Sequence, residues 1–390
     1  MRKRKKRRPL YLLTIFILLL LGSVTYLSIG LIQNGTSSET FVVQKHETKQ
    51  TEQEFKPFTT SMTLAAVGDI LIHGTVYNDA KTADSYDFKP MLAGVKEHLE
   101  NADLTIANQE TILGGTEIGL STYPSFNSPF EVADALQDAG VDIVSIANNH
   151  TLDRGEKAIL NATKYLTDIG MDYTGGYRSP EDREHIRVIN RNGIKIAFLS
   201  YTYGTNGIPV PQGKEYLVNL IDMDLIKEDI KKAKELADVL AVSMHWGNEY
   251  QRIPNDEQKT LAQELADEGV NLIIGHHPHV LQPMEWLSGK DGNETFVIYS
   301  LGNFLSGQMK DYKDIGGVFQ IEIVKDIKTK GETEIRLENP SFIPTYVTSQ
   351  RYRNFRVVPL ENAGSVGLSN ASAVYEETNQ HMSQWINGRE

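Results

Sequence analysis

From Met62 onward the chain alternates short apolar runs with amphipathic stretches, and this alternation limits the fold more than any other feature. "MTLAAVGDI", "DLTIANQE", "VDIVSIANNH", "DVLAVSMHW" and "VNLIIG" are near-continuous apolar segments. Such segments read as strands covered on both faces. Between them, "FKPMLAGVKEHLENA", "SPFEVADALQDAG", "GEKAILNATKYLTDIG", the stretch near Met223–Ala237 and "DEQKTLAQELADEG" space their apolar residues as helices do. The second of these predicts Ser128 as N-cap, Pro129 in the first turn and Gly140 as stop. "IRVINRNGIKIAFLSY" predicts a hairpin turning at Arg191–Gly193. Strands alternating with helices predict an α/β sheet. The segment Pro283–Val347 is mostly strand-like, with turns at "SGKDGNE" and "DIKTKGE", and predicts a second sheet packed on the first. Residues 62–350 thus read as one domain. Residues 351–390 read as a C-terminal extension, a peripheral tail with a short helix.

The N-terminal part has different physics. Leu10–Ile32 is 23 residues without a charge, and a spanning helix needs ~20 apolar residues. The preceding "MRKRKKRRP" carries seven basic residues and no acid. The positive-inside rule therefore puts residues 1–9 in the cytoplasm and everything after Ile32 outside. A cleaved signal peptide is the alternative, but its apolar region is typically ~7–15 residues and ends in an A-x-A-like site. Residues 33–61 are polar and read as a tether.

Charge narrows the partners. The whole chain has 39 Lys+Arg against 51 Asp+Glu, a net −12. Without the seven N-terminal basic residues the balance is 32 − 51 = −19. An acidic body argues against nucleic acid as a partner, since phosphates demand a basic face. An anionic substrate would need a local cationic site such as a metal. Cysteine is absent, so no disulfide and no thiolate metal site can form. No Walker-type lysine and no GxSxG elbow is present.

Candidate site residues cluster at strand ends. Asp69 closes the first run, Asn108 and Glu110 the second, and Asn148, Asn149 and His150 the third. His245 closes a later run, and His276, His277 and His279 of "GHHPH" close the last. In open α/β sheets, ligands bind beyond the carboxyl ends of the strands. If these strands are parallel neighbours, the five ends converge on one volume. A mixed oxygen and nitrogen donor set suits Mn, Fe or Zn. In an extended segment His277 and His279 face one side, and His276 points away, as a supporting group or an alternative ligand. Glu249 of "HWGNEY" reads as an acceptor that orients an imidazole. Asn303 of "YSLGNF" faces the same cleft or simply forms a turn. Trp246 reads as packing and His73 as structural.

The ordered motifs "AAVGDI", "ANQE", "SIANNHTLDRG", "MHWGNEY", "IIGHHPH" and "YSLGNF" resemble the bacterial capsule proteins of the CapA/PgsA family, across about Thr63–Gly307. Members belong to the poly-γ-glutamate synthesis machinery. The resemblance implies a calcineurin-like metallophosphoesterase fold, two facing mixed β-sheets flanked by helices (αββα), behind one N-terminal transmembrane helix. It also implies a divalent metal site, with Asp69, Glu110, Asn149, His245, His277 and His279 as ligands and His150 as acid or charge stabiliser. Glu110 takes the place of a bridging Asp. The implied partners are membrane-bound poly-γ-glutamate synthase subunits and the polymer itself, and the implied location is a single-pass membrane protein with its domain outside the cell. One departure is that Asp69-Ile70-Leu71 stands where such phosphoesterases carry Asp-x-His. The site is left with one ion, two, or none held tightly, and the function with a metal-dependent hydrolase or a non-catalytic polymer-binding scaffold.

Overall fold

A computed structural model describes residues 56–328 and 332–386. The basic segment, the apolar Leu10–Ile32 run and most of the 33–61 tether lie outside the described residues. No helix among the described residues is long and apolar enough to cross a membrane.

The first sheet is built on β1 (Phe58–Leu71), which is flanked in parallel by β2 (Leu104–Asn108), β3 (Ile143–Ser145) and β4 (Asp172–Thr174). The second sheet begins with β5 (Arg187–Arg191) and β6 (Ile194–Thr202), the expected hairpin. Asn192 and Gly193 both take positive φ at its turn, the conformation that a two-residue hairpin matching strand twist requires. β7 (Val239–His245) and β8 (Leu272–His276) continue this sheet in parallel.

The strand-rich C-terminal half was expected to form the second sheet alone, and instead it divides. β9 (Leu281–Ser288) and β10 (Glu294–Leu301) complete the second sheet in the order β5-β6-β7-β8-β10-β9. β11 (Asn303–Ser306), β12 (Ile315–Ile327), β13 (Thr333–Thr348) and β14 (Arg356–Pro359) join the first, in the order β14-β13-β12-β1-β2-β3-β4 with β11 on β1. The short break at Gly302 lets one continuous stretch leave one sheet and enter the other.

The longer helices cover the outer faces. α1 (Glu131–Asp138) and α2 (Gly155–Ile169) bury Val132, Leu136, Ile159 and Leu166 against the first sheet. α3 (Met223–Lys234) and α4 (Asp256–Asp267) bury Ile226, Ile230, Ala262 and Leu265 against the second. A third cluster, from Met62, Leu64 and Ile106 to Phe198, Ala241, Ile274 and Phe319, lies between the sheets. The order is therefore helix, sheet, sheet, helix. α1 starts after Phe130 and not after Ser128, whose buried hydroxyl bonds Thr111 instead.

The region after residue 351 is no peripheral tail. β14 pairs with β13, and α5 (Ala371–Ser383) buries Ala371 and Met382 in the inter-sheet core. The expected short helix is present, and its burial escaped sequence periodicity because α5 hides only a narrow stripe.

Candidate metal centre

Strand alternation carries the site residues inward. On β7, Val239 and Ala241 face the inter-sheet core, so two and four residues on Ser243 and His245 follow them. On β8, Leu272 and Ile274 face inward, so His276 does too. On β2, Leu104 and Ile106 bring Asn108 inward. β1 needs a correction to this pattern, since Met62, Leu64 and Ala66 face inward and Gly68 would follow. A bulge between Val67 and Asp69 shifts the register by one and turns Asp69 inward. Gly68 has no room for a side chain, because a Cβ there would lie 1.9 Å from the Gly302 carbonyl oxygen.

The five strand ends do converge, but from two facing sheets. Asp69, Asn108, Glu110, Asn149 and His150 come from the first, and His245, His276, His277 and His279 from the second. Asn108 Nδ2 donates to Asp69 Oδ1 at 2.8 Å. His279 Nδ1 lies 3.1 Å from Asp69 Oδ2 and 3.7 Å from Glu110 Oε2. His245 Nε2 lies 2.8 Å from Asn149 Oδ1 and 3.6 Å from Glu110 Oε1. The Glu110 amide bonds the Ile70 carbonyl at 3.2 Å, which hooks the exit of β2 back onto β1.

Two groups of donors lie within 4.8 Å of one another, Glu110–His245–His277 and Asp69–Glu110–His279. Glu110 belongs to both. The expectation that His277 and His279 share one side of an extended segment does not hold. His277 (φ 96°) and His279 (φ 59°) are both left-handed, and the chain coils so that each reaches a different donor group. His276, expected to point away, is the histidine that follows the inward face of the strand. Its Nδ1 lies 3.6 Å from Asp69 Oδ1.

Burial and charge set the protonation. Asp69, Glu110, His245 and His276 are almost wholly removed from solvent. Burial, reinforced by the negative charges of Asp69, Glu249 and Asp153, pushes Glu110 well above the ordinary carboxylate range despite attraction from His279. Burial likewise opposes ionisation of Asp69, but the His279 hydrogen bond and the His279 and His276 charges hold it below its ordinary value. Burial disfavours charge on His279, yet Glu110 and Asp69 raise it to about 9. Burial lowers His245 well below the ordinary imidazole value, and takes His276 to about 4 and His277 to about 3. Without an ion, the cluster thus favours a proton on His279 beside an ionised Asp69, while burial disfavours full charge on Glu110.

The buried polar atoms test whether divalent ions fit. Both carboxylate oxygens of Glu110, both ring nitrogens of His276, His277 Nδ1, Asn108 Oδ1 and Asn303 Oδ1 are buried without a hydrogen-bond partner. An unpaired buried polar atom costs ~1–3 kcal/mol. Several such atoms in one place, all acceptors or able to become so, form a hard-to-borderline donor set that one or two ions of the Mn, Fe or Zn type would satisfy.

The other expected residues have distinct places. Asn148 is a structural clamp whose Nδ2 donates to the Gln109 carbonyl and whose Oδ1 accepts from the His150 amide. Asn303 stands beside Asp69 in the β1–β11 register, with Nδ2 donating to Gln308 Oε1 and the Lys313 carbonyl. Glu249 is exposed at the cleft mouth, and it acts on His279 and Glu110 through its charge. Trp246 is buried packing, as expected.

Four residues escaped the sequence reading. Asp153 Oδ2 lies 2.7 Å from His150 Nδ1 and also accepts the Phe126 amide. Its spacing in "NNHTLD", three residues after His150, was the available signal. Phe126 packs edge-on against His150, ring centroids 4.7 Å apart. Asn206 bonds Asn149 from a loop far along the chain, with no motif to announce it. His73, read as structural, lines a cavity of about 370 Å³ with His150, His279, Tyr123, Tyr250 and Glu249.

The chain matches, over residues 63–308, the family described as bacterial capsule synthesis protein PGA_cap. It belongs to this family. Every residue of the donor cluster falls inside the PGA_cap match, as does Asp153. Among relatives, the capsule biosynthesis protein CapA of Bacillus anthracis is 28% identical over 315 residues, 79% of this chain and 71% of that one. The PGA biosynthesis protein CapA of Bacillus subtilis is 33% identical over 180 residues, 46% of each chain. Among solved structures, the calcineurin-like phosphoesterase YfkN from Bacillus subtilis superposes with a TM-score of 0.42 and 16% identity, over 82% of this chain and 100% of that chain.

Proposed function

We propose that this PGA_cap protein is a membrane-anchored, extracytoplasmic component of poly-γ-glutamate capsule biosynthesis whose domain is a metal-dependent hydrolase. The observation that carries the reading is Glu110, a buried carboxyl without hydrogen-bond partners that is shared by two groups of donors. Divalent ions bound there would supply positive charge to a phosphoryl or carbonyl oxygen and acidify water. The names of the Bacillus relatives support the capsule assignment. The uncharged Leu10–Ile32 run and its basic flank support the anchor and its orientation.

The chain's own residues divide the remaining work. His150 lines the cavity, and Asp153 fixes its ring through Nδ1. With the proton on Nδ1, Nε2 is the nitrogen left to exchange a proton with a leaving group. Phe126 packs against the same ring and fixes its tilt. Tyr123 and Tyr250, each substantially exposed, form the walls through which a substrate enters. The substrate class is a phosphoester or the γ-glutamyl amide of the polymer. In either case the acidic body makes local positive charge necessary.

Hydrolysis of a phosphoester probe and of γ-glutamyl polymer by the purified chain, with and without Mn or Zn, tests the reading. Metal-dependent turnover lost in His277→Ala supports it. Normal polymer output by cells carrying Glu110→Ala or His277→Ala overturns it in favour of a non-catalytic scaffold that binds the polymer beside the synthase subunits.

A further inference from the structure

The two donor groups that share Glu110 are unequal. Around the first stand Glu110, His245 and His277, with the Asn149 amide oxygen 2.8 Å from His245 Nε2. That makes four side chains. Around the second, among the His, Asp and Glu of the described residues, stand Asp69, Glu110 and His279. Leu71, two residues after Asp69, offers no donor atom.

His276 stands where the fourth donor is missing. It is 1% exposed, and neither ring nitrogen has a hydrogen-bond partner. Its Nδ1 lies 3.6 Å from Asp69 Oδ1, close to the 3.7 Å that separates the His279 and Glu110 donors. Two donors roughly 2.1 Å from one ion and near right angles to each other lie roughly 3.0–3.4 Å apart, so the Asp69–His276 pair is already close to that spacing, and the ring must move further in to meet Glu110 and His279, since His276 stands outside the set of donors within 4.8 Å of one another. Position makes the imidazole harder to explain otherwise. His276 continues the inward face of β8 after Leu272 and Ile274, both of which pack in the apolar layer between the sheets. A third aliphatic side chain would extend that layer without burying two unpaired nitrogens. β7 and β8 also hold His276 level with His245, in direct register.

We propose that His276 is a resident metal ligand that completes the Asp69–Glu110–His279 position and so allows the chain to hold two divalent ions with four side chains each. The proposal rests on the two-ion reading of the cluster. It makes the Asp69 position equal to its neighbour, without an imidazole at residue 71.

The test is a Mn(II) titration of the full chain, followed by calorimetry and by the electron paramagnetic resonance of free and bound Mn(II). The wild type is expected to take up two ions. His276→Leu is expected to keep one and to bind the other at least roughly tenfold more weakly. His277→Ala weakens the opposite ion. In chelator, His276→Leu melts at or above the wild-type temperature, since an unpaired imidazole has left the core. Should the leucine variant fail to fold, His276→Gln, which keeps one oxygen donor, is expected to weaken the same ion. Unchanged affinity for both ions in a folded His276 variant overturns the proposal while leaving the two-ion reading intact. A wild type that takes up no divalent ion overturns both.

Discussion

His279 Nδ1 and Asp69 Oδ2 lie 3.1 Å apart, although 210 residues separate them in the chain. One belongs to the turn after β8 in the second sheet and the other to the bulge of β1 in the first. The contact is a bond between sheets as well as part of the donor cluster. In the ion-free protein it is charged, His279 being raised to about 9 and Asp69 held below its ordinary value.

That charge state gives a stability prediction. The folded His279 value lies above the ordinary imidazole value, so its contribution is complete below pH ~6.5 and disappears as pH rises through about 9. Chelator-treated protein is therefore expected to lose thermal stability between pH 7 and 9.5. The ion-loaded protein, in which the proton has already left, holds its melting temperature better. A melting difference between the two forms that does not widen with pH contradicts the assignment.

The proton that His279 holds must leave when an ion binds it. Calorimetry at pH 7 in buffers of different ionisation enthalpy should register proton release on loading. Affinity should rise with pH up to about 9. Uptake without proton release would mean that the cluster is already deprotonated.

Glu110→Gln and His277→Ala should differ in reach. Glu110 serves both donor groups and His277 one. The glutamine variant is expected to weaken both ions by roughly tenfold or more, and the alanine variant one. Metal content after dialysis, by mass spectrometry, separates the two patterns.

On the proposed hydrolytic reading, Asp153→Asn should lower kcat about 100-fold while leaving metal content unchanged. The carboxylate touches His150 Nδ1 and the Phe126 amide, and belongs to neither donor group. A loss of metal in this variant would reassign Asp153 to the cluster.

Gly275→Ala tests the packing behind the site. A Cβ there would lie 2.0 Å from the Tyr299 carbonyl oxygen on β10. Parting β8 from β10 is expected to cost about 3 kcal/mol and to lower the melting temperature. His276 would be displaced along with the strand.

Much of this was legible in the sequence because it depends on short-range rules. Apolar runs located the strand that carries Asp69 and those that end at Asn108, His245 and His276, and the polar residues at or near their ends marked the site. What was not legible depends on distant backbone. The bulge that turns Asp69 inward lies against Gly302, far along the chain, whose carbonyl accepts the Asp69 amide at 2.8 Å. The left-handed turns at His277 and His279 break the extended geometry that spacing suggested. The division of the C-terminal strands between the two sheets left no local signature. The short helix expected near the C-terminus is α5, but its packing into the core was not legible because its buried stripe, Ala371, Thr378 and Met382, is thin.

The shared position of Glu110 also bears on how the site fills. Burial opposes charge on Glu110, so the first ion to bind bears the cost of ionising it, and that cost is already met when the second arrives. Mutual repulsion of the ions works the other way and favours the half-filled state. The steepness of the loading isotherm therefore measures which of the two effects is larger.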